Sequence, residues 1–300
     1  MITMTSRARH KGWLLALAFL LPSMAIFGLF TFFPFFQNFK LALYQVPPYP
    51  GLPSTYVGFS QISSVLSSSE FLQSLISTLL FVIIVVPLGL LAGLALAVGA
   101  NKVLRGMAFF RVVFSSTVVT SVAVGALIFG TLMNPIVGFL PWLGINPHPP
   151  LLQSPTWALP SVALIAVWQF LGLSFIIMSA GLQSLPEEVL EASRVDGAGA
   201  WTTFWRITVP MLSPTLFFGL VVGTIYAFQT FGQIDILIGQ QSAADFHVNV
   251  LLYYIYQSLG GTAPDQGLAA VLSLVLFVIM LGLTLLQLRV VERRVHYAAH

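Results

Sequence analysis

The chain has 300 residues, of which 57% are hydrophobic and only 7% are charged, against the roughly 25% charged residues usual in soluble domains. So few charges cannot cover a water-facing surface, which excludes a soluble globular protein. The net charge of +3 is too small to indicate nucleic-acid binding. The absence of cysteine excludes disulfides and thiolate chemistry.

Six apolar segments are long enough to span a bilayer, since a transmembrane helix needs about 20 mainly apolar residues. They run approximately over Trp13–Phe36, Leu72–Gly99, Met107–Met133, Leu159–Gln183, Met211–Gln233 and Gly267–Leu288. An even number of spans places both termini on the same side. The sequence therefore predicts an all-α integral membrane protein with a transmembrane domain over 13–288, preceded by a tail at 1–12 and followed by one at 289–300.

The basic residues give this arrangement an orientation. With six spans, all twelve Lys and Arg residues except Lys40 fall on the side of the termini. The positive-inside rule makes that side cytoplasmic, with the tails inside the cell membrane of a prokaryote. The alternative for the N-terminus is a cleavable signal peptide, since Arg7, Arg9 and Lys11 precede an apolar run. That run continues to Phe36, however, and is longer than a signal peptide requires.

The segments predicted to lie outside the cell are rich in proline or aspartate. They cover Gln37–Phe71, Asn134–Ala158 and Ile234–Gln266. Proline fixes φ and cannot donate a backbone hydrogen bond, so ordered turns are expected there. These segments are either a contact surface for an external protein or plain connecting loops.

The segment 184–214 is a charged loop between two apolar spans. Ser184 and Glu187 have capping-box spacing, which predicts a short helix that begins here with its carboxylates near the positive end of the helix dipole. Those carboxylates belong to Glu187, Glu188 and Glu191. The expected apolar side of the helix consists of Leu190, Ala192 and Val195, and Gly197 and Gly199 are expected to end it in conformations closed to other residues.

This loop resembles the EAA loop of permease subunits in binding-protein-dependent ABC importers. The pattern is present as Glu191-Ala192-Ser193, Asp196-Gly197 and Ile207-Thr208-Val209-Pro210. Ser193 and Val209 differ from the commonest residues at their positions. The resemblance implies the type I importer permease fold, in which the short helix is a coupling helix that contacts an ATPase subunit through Glu187, Glu188, Glu191, Ala192, Asp196, Gly197 and Pro210.

Further motifs match the carbohydrate-uptake subfamily of these permeases. They are Arg105-Gly106, Phe109-Phe110-Arg111, Asn134-Pro135 and Gly138, and the tail from Leu288 to Tyr297 is most similar to the Ugp-type permeases for glycerol-3-phosphate or glycerophosphodiesters. The resemblance implies a lipid bilayer around the permease and four partner chains: a homologous permease, two ABC ATPase subunits and an extracytoplasmic binding protein. It also implies that ATP and Mg²⁺ bind to the ATPase, since this chain has no phosphate-binding loop.

Polar residues at membrane depth are the candidates for the substrate pathway, because a polar group in hydrocarbon usually faces a cavity or another helix. Tyr226, Gln229, Thr230 and Gln233 have helical spacing, with Asp235 just beyond them and Gln169 and Ser174 as weaker candidates in the fourth span. One helix face with hydroxyl, amide and ring groups suits a polyol or a sugar. The alternative role is hydrogen bonding to the second permease.

The predicted spans are compatible with more than one class of substrate, because no Lys or Arg lies deep in any of them. Phosphate recognition usually needs such a cation or the amides of a helix start. Either the phosphate is recognised by the binding protein or the second permease, or the substrate is a zwitterionic diester or a neutral sugar such as a disaccharide.

Two other functional classes compete with the importer hypothesis. A proton-coupled secondary transporter would have Asp235 as its one proton carrier. An intramembrane enzyme would need paired catalytic groups, and the sequence shows none. The five histidines are scattered, so no metal site is expected.

Overall fold

The computed structural model describes residues 6–49, 51–101, 106–239, 247–260 and 263–290, with side chains from Leu17 onward. The described residues form two compact units. The first is drawn from Met1–Val65 and Ser258–Leu274, and the second from Leu66–Gln257 and Val275–His300.

The described chain is almost wholly helical. The α-helices are α1 (Ser6–Phe27), α2 (Phe33–Leu41), α3 (Ser60–Leu66), α4 (Ser69–Ala100), α5 (Met107–Ser115), α6 (Val122–Leu132), α7 (Phe139–Trp142), α8 (Ala158–Gln183), α9 (Glu187–Val195), α10 (Ala200–Thr203), α11 (Val209–Met211), α12 (Ser213–Phe228), α13 (Gly232–Leu237), α14 (Leu251–Leu259) and α15 (Gln266–Val290). Single turns of π-helix lie at Gly28–Phe32 and Phe204–Thr208, and 3₁₀ turns at Ser116–Val119 and Leu151–Gln153. The two strands are β1 (Tyr44–Gln45) and β2 (Thr55–Tyr56).

Four helices are long and apolar enough to cross a membrane, and the number rises to six if each of two bent helix pairs counts as one span. The four continuous spans are Leu17–Leu41, Ser69–Ala100, Ala158–Gln183 and Gln266–Val290. They coincide with predicted spans, and each extends a few residues beyond its predicted bounds at one or both ends. The multi-pass character expected from composition is confirmed.

The other two predicted spans are not continuous helices. The third bends by 104° between Met107–Val119 and Val122–Leu132. The fifth begins at a bend of 66° between Ala200–Met211 and Ser213–Phe228, and its helix is broken again after Phe228. At the first bend Thr120 and Ser121 both have extended backbone. The Ser121 hydroxyl then accepts from the Val124 amide at 3.2 Å and so starts a new helix.

The first unit contains the N-terminal span and a small hairpin. β1 pairs antiparallel with β2 in the register Tyr44↔Tyr56, and these two rings meet edge to face with centroids 5.3 Å apart. In the same unit, Asn38 donates from Nδ2 to the Ala270 carbonyl at 3.4 Å. The segment 37–71, predicted to form ordered turns, therefore has defined structure in the described residues.

The second unit is built around α8, which packs against α4 and α12. Gly93 on α4 makes this packing close, because a Cβ placed there would lie 2.2 Å from Oγ of Ser174 on α8. Close backbone approach through small residues is a usual way for helices to associate in lipid, where the hydrophobic effect gives no driving force. Of the two candidate sites described next, one follows the C-terminal end of α8 and the other includes Gln169 in its middle.

Several predicted features lie outside the described residues. They are the side chains of Arg7, Arg9 and Lys11, residues Lys102 and Arg105, and the tail beyond Val290 with Arg293 and Arg294. The division into tails at 1–12 and 289–300 and a transmembrane domain at 13–288 stays a prediction. The helix α1 begins at Ser6, within the predicted N-terminal tail.

Candidate functional site

The short helix predicted in the charged loop is present as α9, with bounds Glu187–Val195. Glu187 and Glu188 lie in its first turn, and both side chains are exposed, as is that of Glu191. Carboxylates at this position complement the positive end of the helix dipole. The helix therefore presents a negative outer surface.

The predicted capping box is wrong. The residue that caps α9 is Pro186, and no side chain bonds to its first amides. Ser184 has helical backbone at the end of α8, and its hydroxyl donates to the Gly181 carbonyl at 2.8 Å. The serine therefore completes the preceding helix and is not available to the following one.

The predicted turn at Gly197 is confirmed, with φ of +77°. The Ala198 amide donates to the Ser193 carbonyl at 3.0 Å, and the Gly197 amide donates to the Arg194 carbonyl at 3.1 Å. These two bonds form a Schellman motif, which satisfies the last carbonyls of a helix and needs a left-handed residue. The expectation that Gly199 also ends α9 in a conformation closed to other residues is wrong. Its φ is −68°, which any residue can adopt, and it lies directly before α10.

The inward side of α9 also differs from the prediction. Leu190 is half-buried and Ser193 is buried, whereas Ala192 is exposed and Val195 is 87% exposed. The Ser193 hydroxyl donates to the Leu190 carbonyl at 2.8 Å and lies 3.4 Å from the Thr203 hydroxyl. Ser193, which replaces an alanine common in the resembled motif, thus faces the returning chain, and the outward surface combines carboxylates with small apolar groups.

The chain returns from α9 through a short stiff segment. Trp201 and Trp205 meet edge to face with centroids 5.7 Å apart, and both are exposed. Pro210 lies in α11, in the last turn of the helical stretch Ala200–Met211. The 66° bend follows directly, so this segment connects α9 to α12 through one hinge point.

The second candidate site is the polar cluster, which we define as Gln169, Tyr226, Thr230 and Gln233. Its predicted arrangement on one helix face is wrong, because α12 ends at Phe228 and α13 begins at Gly232. Gln229 is exposed at the end of α12, whereas Thr230 and Gln233 are buried. The residues are brought together by a break in the helix and not by its continuation.

Gln169 occupies the centre of the polar cluster and bonds in two directions. Its Oε1 accepts from Nε2 of Gln233 at 2.5 Å, and its own Nε2 donates to the Val122 carbonyl at 3.4 Å. Val122 is the first residue of α6, after the bend in the third span. Gln233 lies in the first turn of α13, after the break that follows Phe228. One buried side chain of α8 therefore bonds to both interrupted spans.

Tyr226 lies next to this pair. Its ring stacks on Phe170 with centroids 5.2 Å apart and an interplanar angle of 23°. Its hydroxyl lies near Gln233 but does not reach hydrogen-bond geometry, so it is buried without a partner among the described residues. The hydroxyl of Ser174, one turn along α8 from Phe170, is also buried without a partner among the described residues. Unpartnered polar atoms of this kind call for a bound molecule or a rearrangement.

Asp235 is bonded by a residue that the sequence did not suggest. Tyr253 on α14 donates from its hydroxyl to Oδ1 of Asp235 at 3.4 Å. Desolvation and the neighbouring Asp235 carboxylate raise the pKa of Tyr253 to about 12. Tyr253 lies far from Asp235 in the chain and within a predicted external loop, so only an amphipathic pattern at Leu251–Leu259 could have indicated it.

The remaining chemistry of the described residues is sparse. No group of three or more His, Asp or Glu side chains capable of holding a metal ion occurs among them. In the described spans the basic side chains lie only near span ends, as with Arg111, which donates to the Ala100 carbonyl at 2.9 Å. The polar cluster thus offers amide and hydroxyl groups and no positive charge.

Comparison with solved structures identifies the fold. A bacterial ABC transporter involved in the import of the acidic polysaccharide alginate matches with a TM-score of 0.81 at 23% identity, over 96% of this chain and 98% of the other. The bacterial alginate ABC transporter in complex with its alginate pentasaccharide-bound periplasmic protein matches with a TM-score of 0.82 at 22% identity, over 98% and 99%. The type I importer permease fold inferred from the resemblance is confirmed.

Comparison with curated proteins gives relatives along nearly the whole chain. The sn-glycerol-3-phosphate transport system permease protein UgpA of Rhizobium meliloti (strain 1021) is 34% identical over 281 residues, 92% of this chain and 94% of that protein. The protein of the same name from Agrobacterium fabrum (strain C58 / ATCC 33970) is 35% identical over 284 residues, again 92% and 94%. The family described as "Binding-protein-dependent transport system inner membrane component" matches residues 62–297. The chain therefore belongs to this family and is a transport permease subunit.

Proposed function

We propose that this chain is the permease subunit of an ATP-driven importer for glycerol-3-phosphate or glycerophosphodiesters such as glycerophosphocholine. The observation that carries the proposal is the identity of 34% and 35%, over 92% of the chain, to permeases named for sn-glycerol-3-phosphate transport. A homologous permease subunit would complete the alternating-access pathway. An extracytoplasmic binding protein would deliver the substrate.

We infer that α9 is the coupling helix. Its exposed carboxylates and small apolar side chains suit a cleft in a cytoplasmic ATPase subunit, with Glu191 placed against a basic residue. One ATPase subunit would bind this chain and a second would bind its homologous partner. ATP and Mg²⁺ would bind to these ATPase subunits. Closure of the ATPase pair would displace α9.

The displacement would reach the membrane through both ends of the charged loop. On one side α9 follows α8 after three residues that include Pro186, and on the other the Schellman turn and the Trp201–Trp205 contact lead to α12. A short, bonded connection transmits a displacement, whereas a long flexible one absorbs it. The two helices that α9 would move, α8 and α12, carry Gln169 and Tyr226 of the polar cluster.

The polar cluster would form part of the substrate pathway in a state in which its internal bonds open. Tyr226 already has an unpartnered hydroxyl, and Gln229 is exposed. Glycerol hydroxyls pair well with amide and hydroxyl groups. The phosphate would be recognised by the binding protein or by the homologous permease, since the cluster has no cation.

A neutral sugar is the second candidate substrate, and the same lack of positive charge favours it. A disaccharide needs hydrogen-bonding groups and an aromatic surface, which Gln233 and the half-buried Tyr226 would supply once the cluster opens. The orientation proposed from the basic residues places both termini and α9 in the cytoplasm of a prokaryotic cell, in its cell membrane.

The substrate can be tested with the importer complex purified through this chain and reconstituted in nanodiscs with its binding protein. ATPase activity is measured with glycerol-3-phosphate, with glycerophosphocholine and with several disaccharides. Stimulation by either glycerophosphate compound supports the proposal. Stimulation by a disaccharide alone assigns the chain to sugar uptake, and a purified chain with no accompanying ATPase contradicts the proposed coupling helix.

A further inference from the structure

A pocket of about 320 Å³ lies between α9 and the ends of α4 and α8. Its walls are mainly apolar and include Leu182, Leu185, Leu190 of α9 and Phe204 of the π turn. Small polar groups occur at Asn101, Thr203 and Thr208. The pocket is separate from the polar cluster, and none of its lining residues belongs to that cluster.

Charge is divided unequally between the two sides of α9. Arg194 is the one charged residue among those described that line the pocket. None of the four carboxylates of the loop lines it, namely Glu187, Glu188, Glu191 and Asp196. The outer surface of α9 is therefore acidic, whereas the pocket behind it carries a positive charge.

Arg194 also has no acceptor within the described part of the chain. No described carboxylate or carbonyl forms a hydrogen bond or ion pair with its guanidinium, and the side chain is exposed. A guanidinium can donate two parallel hydrogen bonds to a phosphate, which makes it a strong phosphate ligand. Arg194 also lies in the last turn of α9, where a positive charge is favourable to the helix dipole. That role does not require a pocket.

The neighbouring aromatic residues indicate the level of the pocket relative to the bilayer. Trp201 is 75% exposed and Trp205 is 49% exposed, and they lie in the same segment that supplies Ala200, Thr203 and Phe204 to the pocket wall. Exposed tryptophans are typical of the membrane interface, where the lipid headgroups lie. Basic pockets at the cytoplasmic ends of transmembrane helices bind anionic headgroups.

We propose that this pocket binds the glycerophosphate portion of an anionic phospholipid from the cytoplasmic leaflet, with the phosphate on Arg194 and the glycerol backbone against Leu185, Leu190 and Phe204. The bound lipid would sit directly behind the coupling helix. The proposal uses the orientation proposed above but does not depend on the transported substrate. A free phosphate ester in the cytoplasm carries the same phosphate group that Arg194 would bind. The apolar walls of the pocket favour the lipid over such an ester.

The test uses the importer complex in nanodiscs made from an equimolar mixture of phosphatidylcholine and phosphatidylglycerol. Native mass spectrometry after transfer to detergent measures the phosphatidylglycerol that each permease chain retains. Arg194→Gln is expected to lower the retained amount about tenfold, the size expected for a lost charge-assisted bond. Arg206→Gln is the matched control, since Arg206 is exposed in the same loop but does not line the pocket, and it is expected to change retention less than about twofold.

A second variant tests the cavity itself. Ala198→Leu places a larger side chain in the pocket wall without altering charge, and it is expected to lower phosphatidylglycerol retention as Arg194→Gln does. Equal retention in Arg194→Gln and Arg206→Gln would overturn the proposal. The proposal would also be overturned if free glycerol-3-phosphate, at a concentration equal to that of phosphatidylglycerol, lowered phosphatidylglycerol retention in the mixed nanodiscs to the level of Arg194→Gln. The site would then serve a soluble phosphate ester.

Discussion

Nε2 of Gln233 donates to Oε1 of Gln169 at 2.5 Å, and this bond links the break after α12 to the middle of α8. Gln169 also donates to the Val122 carbonyl at the bend of the third span. Two interrupted spans thus share one buried partner. Interrupted helices beside a central polar group are typical of substrate pathways in transporters, because freed backbone groups at membrane depth need such partners.

The Gln169–Gln233 bond is expected to contribute measurably to stability. A double-mutant cycle with Gln169→Leu and Gln233→Leu should give a coupling energy of about 0.6 to 1.7 kcal/mol, the range found for hydrogen bonds between membrane helices. Thermal unfolding of the purified complex measures it. Gln229→Leu serves as the control, since Gln229 is exposed, and it should show no coupling to Gln169. Strictly additive effects of the first two substitutions would show that the bond has no energetic role.

Gly93 is predicted to be essential for the packing of α4 on α8. Gly93→Ala would place a Cβ 2.2 Å from the Ser174 hydroxyl and 2.9 Å from its backbone, and such overpacking costs about 1 to 3 kcal/mol. The measurement is the melting temperature of the detergent-solubilised complex. Gly99→Ala on the same helix has no atom within 4 Å of the new Cβ and is the matched control. The packing account fails if the two variants melt at the same temperature.

Gly197 is predicted to be required for coupling and not for membrane insertion. Gly197→Val forces a β-branched residue into a φ of +77° and removes the Schellman turn that sets the direction of the returning chain. We expect the variant to insert at a normal level but to lose most substrate-stimulated ATPase activity. Gly199→Val should retain it, because Gly199 has an ordinary φ of −68° and open space around its Cβ position. Normal stimulation in Gly197→Val would contradict a role for this turn.

Much of the fold could be predicted from the sequence because its signals are local. Continuous apolar runs predicted the four unbroken spans, and the charged loop predicted a short helix at the position of α9, ended by Gly197. Gly197 was recognisable because few other residues adopt its conformation. These features depend on the composition of one segment and need no knowledge of its neighbours.

The features that the sequence did not predict depend on contacts between distant segments. The bend at Thr120–Ser121 interrupts an apolar run without proline or glycine at the break, and Gln169 meets its partner 64 positions away. The apparent capping box at Ser184 failed because the preceding helix uses that serine. The prediction that Ala192 and Val195 lie on the inward side of α9 was wrong. Helical spacing shows which residues share a side of a helix but not whether that side points inward or outward.

Docking of α9 on an ATPase subunit can be measured by site-directed cross-linking. The chain has no cysteine, so single cysteines can be introduced without background. In the purified complex, Ala192→Cys, which is exposed, should cross-link to the ATPase subunit, whereas Ser193→Cys, which is buried against the returning chain, should not. Cross-linking at neither position in a complex with full substrate-stimulated ATPase activity, or equal cross-linking at both, would contradict the account.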